Sequence, residues 1–339
     1  MQKNLFALSA YKINHKVAKI KKKTLSLRIF LAVILSGCLF LGGCAKTFKI
    51  QTPIGKGIYR ANLLYQSAKY QECLTELKNL LAVDPDDPHI HYNLGLTYAR
   101  LNQYNQARDE YLKALRQKGD IPQIHQGLGD LYRQQHLYPK AIIEYQRTLS
   151  LLPDSVETRM RLASAYEEVG KMELAVKQYK SILRVKASPK IYLNLSNIYY
   201  ELGLYDDAVS FYQKALRLDP NMVGLYNNLG LALEKKGEFQ EAVAFYQKAI
   251  QKDSHYYFSY INLGALYRST GKYELARDYY QKALQTKPNC LEAFLNLGIL
   301  YDLYLASPQE AIKNYQYYCQ AGGPRSSEVR KWIETLQIR

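Results

Sequence analysis

The sequence predicts an all-α chain laid out as an array of helix pairs, and three observations predict it: a fixed period, a skewed aromatic composition, and small and bulky residues at helical spacing. The triplet Asn-Leu-Gly stands at 228–230, again at 262–264 and again at 296–298, a step of 34 residues. Tyr occurs 32 times against nine Phe and one Trp, so one residue type fills a recurring structural position. Within one period, Tyr226, Leu229, Gly230 and Leu233 keep the spacing of three and four that a single helical face requires. Phe239, Ala242, Tyr246, Ala249 and Ile250 form a second such face after Gly237, which breaks the first helix. Periods of this length belong to arrays in which each unit buries its apolar face against its neighbours.

In chain order, the first element is an address segment. The 339 residues hold 46 Lys plus Arg against 30 Asp plus Glu, a formal charge of +16. Eight of the basic residues (Lys3, Lys12, Lys16, Lys19, Lys21, Lys22, Lys23 and Arg28) fall before residue 29 with no acidic residue among them. From Ile29 to Gly43 the chain is apolar or small, a run shorter than the roughly 20 residues that a membrane-spanning helix needs. A basic stretch, an apolar stretch and small residues in that order form an export signal. The run ends in Leu41, Gly42, Gly43 and Cys44, which resembles the lipobox of bacterial lipoproteins, where the signal is cut before a Cys that has received a diacylglycerol. Leu35, Ser36, Gly37 and Cys38 make a second match that leaves only six apolar residues before it, so Cys44 is the preferred lipidation site. The competing reading is an uncleaved anchor helix. The resemblance implies a signal peptide over 1–43, a linker over 44–53, and acyl chains holding the protein on a membrane. Ala45 stands where an Asp would resemble an inner-membrane retention signal, which implies an outer-membrane lipoprotein facing the periplasm. Without residues 1–43 the balance is 38 against 30, or +8, spread along the repeats rather than gathered into a phosphate-tracking stripe. Nucleic acid is therefore not the expected partner.

The repeating register then gives units over 54–87, 88–121, 122–155, 156–188, 189–222, 223–256, 257–290 and 291–325, the fourth one residue short and the last one residue long near Ala306 and Ser307. Position 8 is small in every unit: Ala61, Gly95, Gly129, Ala163, Ser196, Gly230, Gly264 and Gly298. Position 20 is Cys73 in the first unit, then Ala107, Ala141, Ala175, Ala208, Ala242, Ala276 and Ala311. Tyr fills position 24 in seven units, position 11 in six and position 17 in five, which absorbs 18 of the 32 tyrosines into core columns. Second helices close at pairs such as Asp84 with Pro85 and Asp219 with Pro220. This pattern resembles the tetratricopeptide repeat. The resemblance implies a right-handed α-solenoid of helix-turn-helix units whose first helices line a concave groove, with function residing in that groove. The first unit departs from the pattern at Gly57, Arg60, Leu64 and Leu77, as a terminal unit with one neighbour does. Beyond the eighth unit, Val329, Trp332, Ile333 and Leu336 keep helical spacing and predict a capping helix over 326–339 with Trp332 as its anchor.

The resemblance places position 6 on the groove wall, where units two to eight carry Asn93, Gly127, Arg161, Asn194, Asn228, Asn262 and Asn296. A carboxamide both donates and accepts, so a row of them can pair with the main chain of an extended peptide whatever its sequence. The row resembles the asparagine ladder in the repeat arm of O-linked N-acetylglucosamine transferase. Leu193, Leu231, Ile261, Leu295 and Ile299 make the C-terminal half apolar, whereas Gln126, Asp130, Arg133, Arg161, Glu167 and Glu168 make units three and four polar, which points to two different partners. Asn197 and Asn228 match the two asparagines of the chaperone-type carboxylate clamp, but Leu193, Phe258 and Asn262 occupy its Lys and Arg positions. That departure disfavours recognition of an acidic C-terminus through this clamp.

No Gly-rich phosphate loop, metal-spaced Cys and His set or Ser, His and Asp arrangement stands out, and the repeats leave no room for a catalytic domain. His89 and His91 are two residues apart and diverge on a helix. Cys73 reads as a small buried residue, and Cys290 and Cys319 as two unpaired thiols that an oxidising compartment could join. The expected function is a non-catalytic, lipid-anchored scaffold without cofactor, metal or small-molecule substrate, binding proteins or extended peptides during cell-envelope assembly. Its plan is similar to that of the tetratricopeptide pilotin lipoproteins of type IV pili. The alternatives are an adaptor for peptidoglycan enzymes and the substrate-recognition arm of a separately encoded transferase.

Overall fold

The computed structural model describes residues 53–338, so the signal segment, Cys38, Cys44 and nearly all of the linker lie outside the described residues. The described residues fold into seventeen helices and no strand. In chain order they are α1 (Pro53–Gln66), α2 (Tyr70–Val83), α3 (Pro88–Arg100), α4 (Tyr104–Lys118), α5 (Pro122–Gln134) and α6 (Tyr138–Leu151). There follow α7 (Val156–Glu168), α8 (Met172–Val185), α9 (Pro189–Glu201), α10 (Tyr205–Leu218), α11 (Val223–Lys236) and α12 (Phe239–Lys252). The last five are α13 (Tyr257–Ser269), α14 (Tyr273–Thr286), α15 (Leu291–Leu303), α16 (Pro308–Gln320) and α17 (Ser326–Ile338). They form two compact units that part between Pro153 and Asp154, the first holding α1 to α6 and the second α7 to α17. The first helix begins at Pro53, one residue inside the predicted linker.

Each turn between paired helices follows one local rule. The left-handed conformation falls at position 15 in seven pairs and one residue later in the eighth, with φ of 72°, 74°, 83° and 76° at Gly170, Gly203, Gly237 and Gly271, and of 58°, 59°, 58° and 47° at Ala68, Asn102, His136 and Ala306. The next residue's N–H then reaches back to the carbonyl of position 11, as Lys171 does to Tyr166 and Glu238 to Leu233, each at 2.9 Å. This closure satisfies end-of-helix carbonyls and reverses the chain, so the two helices pack antiparallel. The extra residue of the last unit is absorbed here: Ala306 takes the left-handed position and Ser307 N–H bonds to Tyr301 O at 2.9 Å. First helices start with Pro at the first turn in α1, α3, α5 and α9, where no backbone donor is needed.

The core follows the columns read from the sequence. The seven Ala at position 20 are fully enclosed, and Cys73 is 1% exposed with its Sγ donating to Ala61 O at 3.2 Å. Five of the seven position-24 tyrosines sit on a glycine of their own pair. A Cβ on Gly230 would lie 2.6 Å from Tyr246 Cε1, and one on Gly264 would lie 2.5 Å from Tyr280 Cε1. The Tyr246 ring fills the slot that Gly230 opens inside the pair. Burial of a ring this size contributes about 2 kcal/mol or more per repeat.

One set of positions differs in chemistry between the units. In the first, His91 Nδ1 meets Glu110 Oε2 at 2.5 Å and His125 Nδ1 meets Glu144 Oε2 at 2.6 Å, both imidazoles being buried. The same positions in the second unit hold stacked Tyr192 with Phe211 and Tyr226 with Phe245, and Lys214 and Lys248 lie 4.4 and 4.6 Å from the Phe rings. The predicted capping helix is α17, packed on α16. Its deepest residue is Val329, at 0% exposure, while Trp332 is half-buried with its ring 5.5 Å from that of Tyr315. Trp332 and Ile333 pack beside Val329 against the cluster that holds Tyr315 and Tyr318.

Candidate protein-binding face

In the second unit the first helices of successive pairs touch one another, α11 against α13 and α13 against α15. They form a layer that carries Asn228, Asn262 and Asn296, with Asn194 and Asn197 on the preceding first helix α9. Asn194, Asn197, Asn228, Asn262 and Asn296 are all half-buried, whereas Asn93, in the first unit, is buried at 8% exposure. Leu193, Leu231, Ile261, Leu295 and Ile299 lie half-buried among them, and Phe258 stands 46% exposed.

The asparagines are tied into the fold more than the sequence suggested. Asn194 Nδ2 donates to the hydroxyl of Tyr179, the position-24 residue of the preceding pair, at 3.0 Å. Asn228 lies beside the hydroxyl of Tyr212, which donates its proton to Asn197 instead. Asn197 Oδ1 accepts from Tyr212 at 2.7 Å, and Asn262 Nδ2 donates to Asn227 Oδ1 at 2.8 Å. Asn296 makes no side-chain hydrogen bond to the described residues. The hydroxyls of Tyr179 and Tyr212 thus emerge from their slots onto this layer. Gly127, the gap in the asparagine column, lies against the ring end of Tyr111, where a Cβ would come within 2.9 Å of Tyr111 Cζ.

Five of the seven hydroxyls find acceptors at two places on the first helix of their own pair. Position 9 supplies Asp130 to Tyr145 at 2.7 Å and Asn197 to Tyr212. Position 12 supplies Glu167 to Tyr179 at 2.5 Å, Glu234 to Tyr246 at 2.8 Å and Asp302 to Tyr315 at 3.4 Å. Burial, reinforced by the adjacent carboxylates, pushes the Tyr246 and Tyr315 hydroxyls well above the usual phenol range. Burial also raises Glu167 above the usual carboxylate range, although the bond from Tyr179 pulls the other way. Asp130 and Glu167, read from the sequence as groove character, are therefore tyrosine acceptors, and Arg161 pairs with Glu157 on its own helix at 2.6 Å. These links were not legible as motifs, since the acceptor changes both residue type and position from repeat to repeat.

Cys290 and Cys319 are separate thiols, the first bonded to Glu292 Oε2 at 3.3 Å and the second to Ser326 O at 3.6 Å. Among the described residues, no set of three or more His, Cys, Asp or Glu is arranged to hold a metal ion, and no helix is long and apolar enough to cross a membrane.

Family profiles described as "TPR repeat" match residues 61–102 and 196–237, and profiles described as "Tetratricopeptide repeat" match 88–120, 126–191 and 221–288. Together they span well over half the chain. Comparison with curated proteins returns no match. The chain is similar in structure to the C-terminal part of a TPR repeat-containing protein from Cytophaga hutchinsonii, at 20% identity over 71% of this chain and 99% of that one, with a TM-score of 0.62. It is also similar to a tetratricopeptide repeat protein from Parabacteroides merdae, at 17% identity over 74% of this chain and 98% of that one, with a TM-score of 0.57.

Proposed function

We propose that this chain, which belongs to the tetratricopeptide-repeat family, is a non-catalytic scaffold whose second unit holds partner proteins or extended peptides against its first-helix layer. Tetratricopeptide repeats typically mediate protein–protein interaction, and arrays of stacked repeats present extended binding surfaces. The observation that carries the reading is the unused hydrogen-bonding capacity of the asparagine row. Asn194 and Asn262 spend their amide N–H groups on Tyr179 and Asn227 and keep their carbonyl oxygens unbonded, while Asn296 spends neither. Internal bonds orient these carboxamides, so a peptide main chain meets pre-positioned groups and loses less entropy on binding. Apolar side chains between them supply contact area.

The lipobox-like Cys44 supports attachment to a membrane through acyl chains, and with it a place in the cell envelope, on the periplasmic side of an outer membrane, in assembly of a pilus or secretion apparatus. Crosslinking in cells tests the scaffold: a variant with Asn194, Asn228, Asn262 and Asn296 all changed to Ala loses the crosslinked partners of the native chain, and capture of the same partners contradicts the reading. Labelling with a radioactive fatty acid tests the anchor. Label is expected on the native chain and not on Cys44→Ala; label that persists in the variant excludes Cys44.

A further inference from the structure

Two repeats depart from the acceptor rule, the second, with Leu96 and Ala99 at the two places, and the seventh. In the seventh, the position-24 residue Tyr280 is 0% exposed, and no protein group bonds to its enclosed hydroxyl. The two places that supply acceptors elsewhere hold Ala265 and Arg268. Ala265 has nothing to offer and Arg268 can only donate. Arg268 is half-buried on α13, its charge acts directly on the Tyr280 hydroxyl, and among the described residues its guanidinium has neither a carboxylate partner nor a hydrogen bond. Asn296, in register with Asn194, which bonds Tyr179, bonds nothing here. Arg268 and the Tyr280 hydroxyl thus stand without a bonded acceptor, with Asn296 on the adjoining first helix α15.

The chain itself shows what fits this place. In the fourth, sixth and eighth repeats a carboxylate oxygen occupies it, 2.5 to 3.4 Å from the tyrosine oxygen. We propose that Arg268 and Tyr280, with Asn296 beside them, form a site that takes a carboxylate from a bound protein segment, supplying the group that the seventh repeat lacks. The proposal rests on the scaffold reading above and names the chemistry its ligand must carry. A guanidinium and a hydroxyl donating to one carboxylate make charge-assisted bonds in a partly dehydrated place, where they are strongest. Glu234, whose charge also acts on the Tyr280 hydroxyl, disfavours a phosphate or a run of acidic residues relative to a single carboxylate. The site is separate from the chaperone-type clamp, whose basic positions this chain does not have.

The test is affinity selection of a synthetic random dodecapeptide library with free C-termini on the full chain, read by mass spectrometry. Selected peptides are expected to share an acidic side chain at one register or to depend on the terminal carboxylate. Resynthesis with Asn or Gln for the acid, or with an amidated C-terminus, distinguishes the two sources. Arg268→Leu and Tyr280→Phe each weaken binding by roughly tenfold or more, as loss of a bond to a charged group does. The neutralised peptide shows the same loss on the native chain and no further loss on Arg268→Leu. Peptides selected without an acidic requirement, or bound equally by Arg268→Leu, overturn the site and leave the scaffold standing. A native chain that selects no peptide overturns both.

Discussion

Replacing each position-24 tyrosine by phenylalanine removes one oxygen and leaves the ring on its glycine, so the series isolates the hydroxyl. In Tyr246→Phe the lost donor serves Glu234 Oε2 at 2.8 Å. Glu234 is half-buried and regains part of its hydration, which sets the expected loss at about 1–2 kcal/mol. In Tyr280→Phe the lost hydroxyl has shed its water on folding without gaining a protein acceptor, and burial pushes its pKa up to about 12. Removing an enclosed, unpartnered hydroxyl is expected to stabilise by about 1 kcal/mol. The two variants thus move apart by about 2–3 kcal/mol, or roughly 5–10 °C in melting temperature for a unit of this size. Thermal melts followed by far-ultraviolet circular dichroism, checked by urea unfolding, read the difference. A Tyr280→Phe melt lowered as far as that of Tyr246→Phe would overturn the expectation, because it would mean that the hydroxyl is satisfied in the free protein.

Gly264→Ala puts a methyl group into the Tyr280 ring and is expected to destabilise by about 1–3 kcal/mol, whereas Gly271→Ala meets no atom but is strained by its φ of 76°, at about 1 kcal/mol in the same melts. Ala68→Gly relieves a left-handed alanine at φ 58° and is expected to raise stability by a few tenths of a kcal/mol to about 1 kcal/mol, the strain relieved exceeding the entropy that glycine gains in the unfolded chain; a lowered urea midpoint contradicts it. Burial raises Glu167 above its ordinary value of 4.5, so the folded chain holds that proton more tightly than the unfolded chain does. Its contribution is present below the ordinary value and is lost as pH rises through the raised one. Glu167→Gln keeps an acceptor for Tyr179 and should flatten that part of the stability profile; a profile unchanged across the carboxylate range, about pH 4 to 7, removes Glu167 as its source.

The helix pairs, their register and the small, Ala and Tyr columns were legible because each imposes the same steric demand in every repeat. Gly230 beside Tyr246 is a packing rule, and packing rules recur. What the sequence concealed was polar. Acceptors for the tyrosine hydroxyls come from Asp130, Glu167, Asn197, Glu234 or Asp302, at two positions and in three residue types, so no column shows them. The His91 and Glu110 pair is 19 residues apart and becomes visible only when α3 and α4 are packed. Left-handed turns announced themselves where position 15 is Gly and stayed hidden at Ala68, Asn102, His136 and Ala306. The asparagine row was found by its position, but the bond from Asn194 to Tyr179 depends on how far that ring reaches out of its slot.

Site-specific photocrosslinking in cells asks whether partners bind the first-helix layer of the second unit. Benzoylphenylalanine placed at Phe258, exposed on α13, is compared with the same group at Gln247, exposed on the second helix α12. Discrete protein adducts are expected from position 258, vanishing when Asn194, Asn228 and Asn296 are changed to Ala, and none from position 247. Adducts from 247 with none from 258 would contradict binding at this layer.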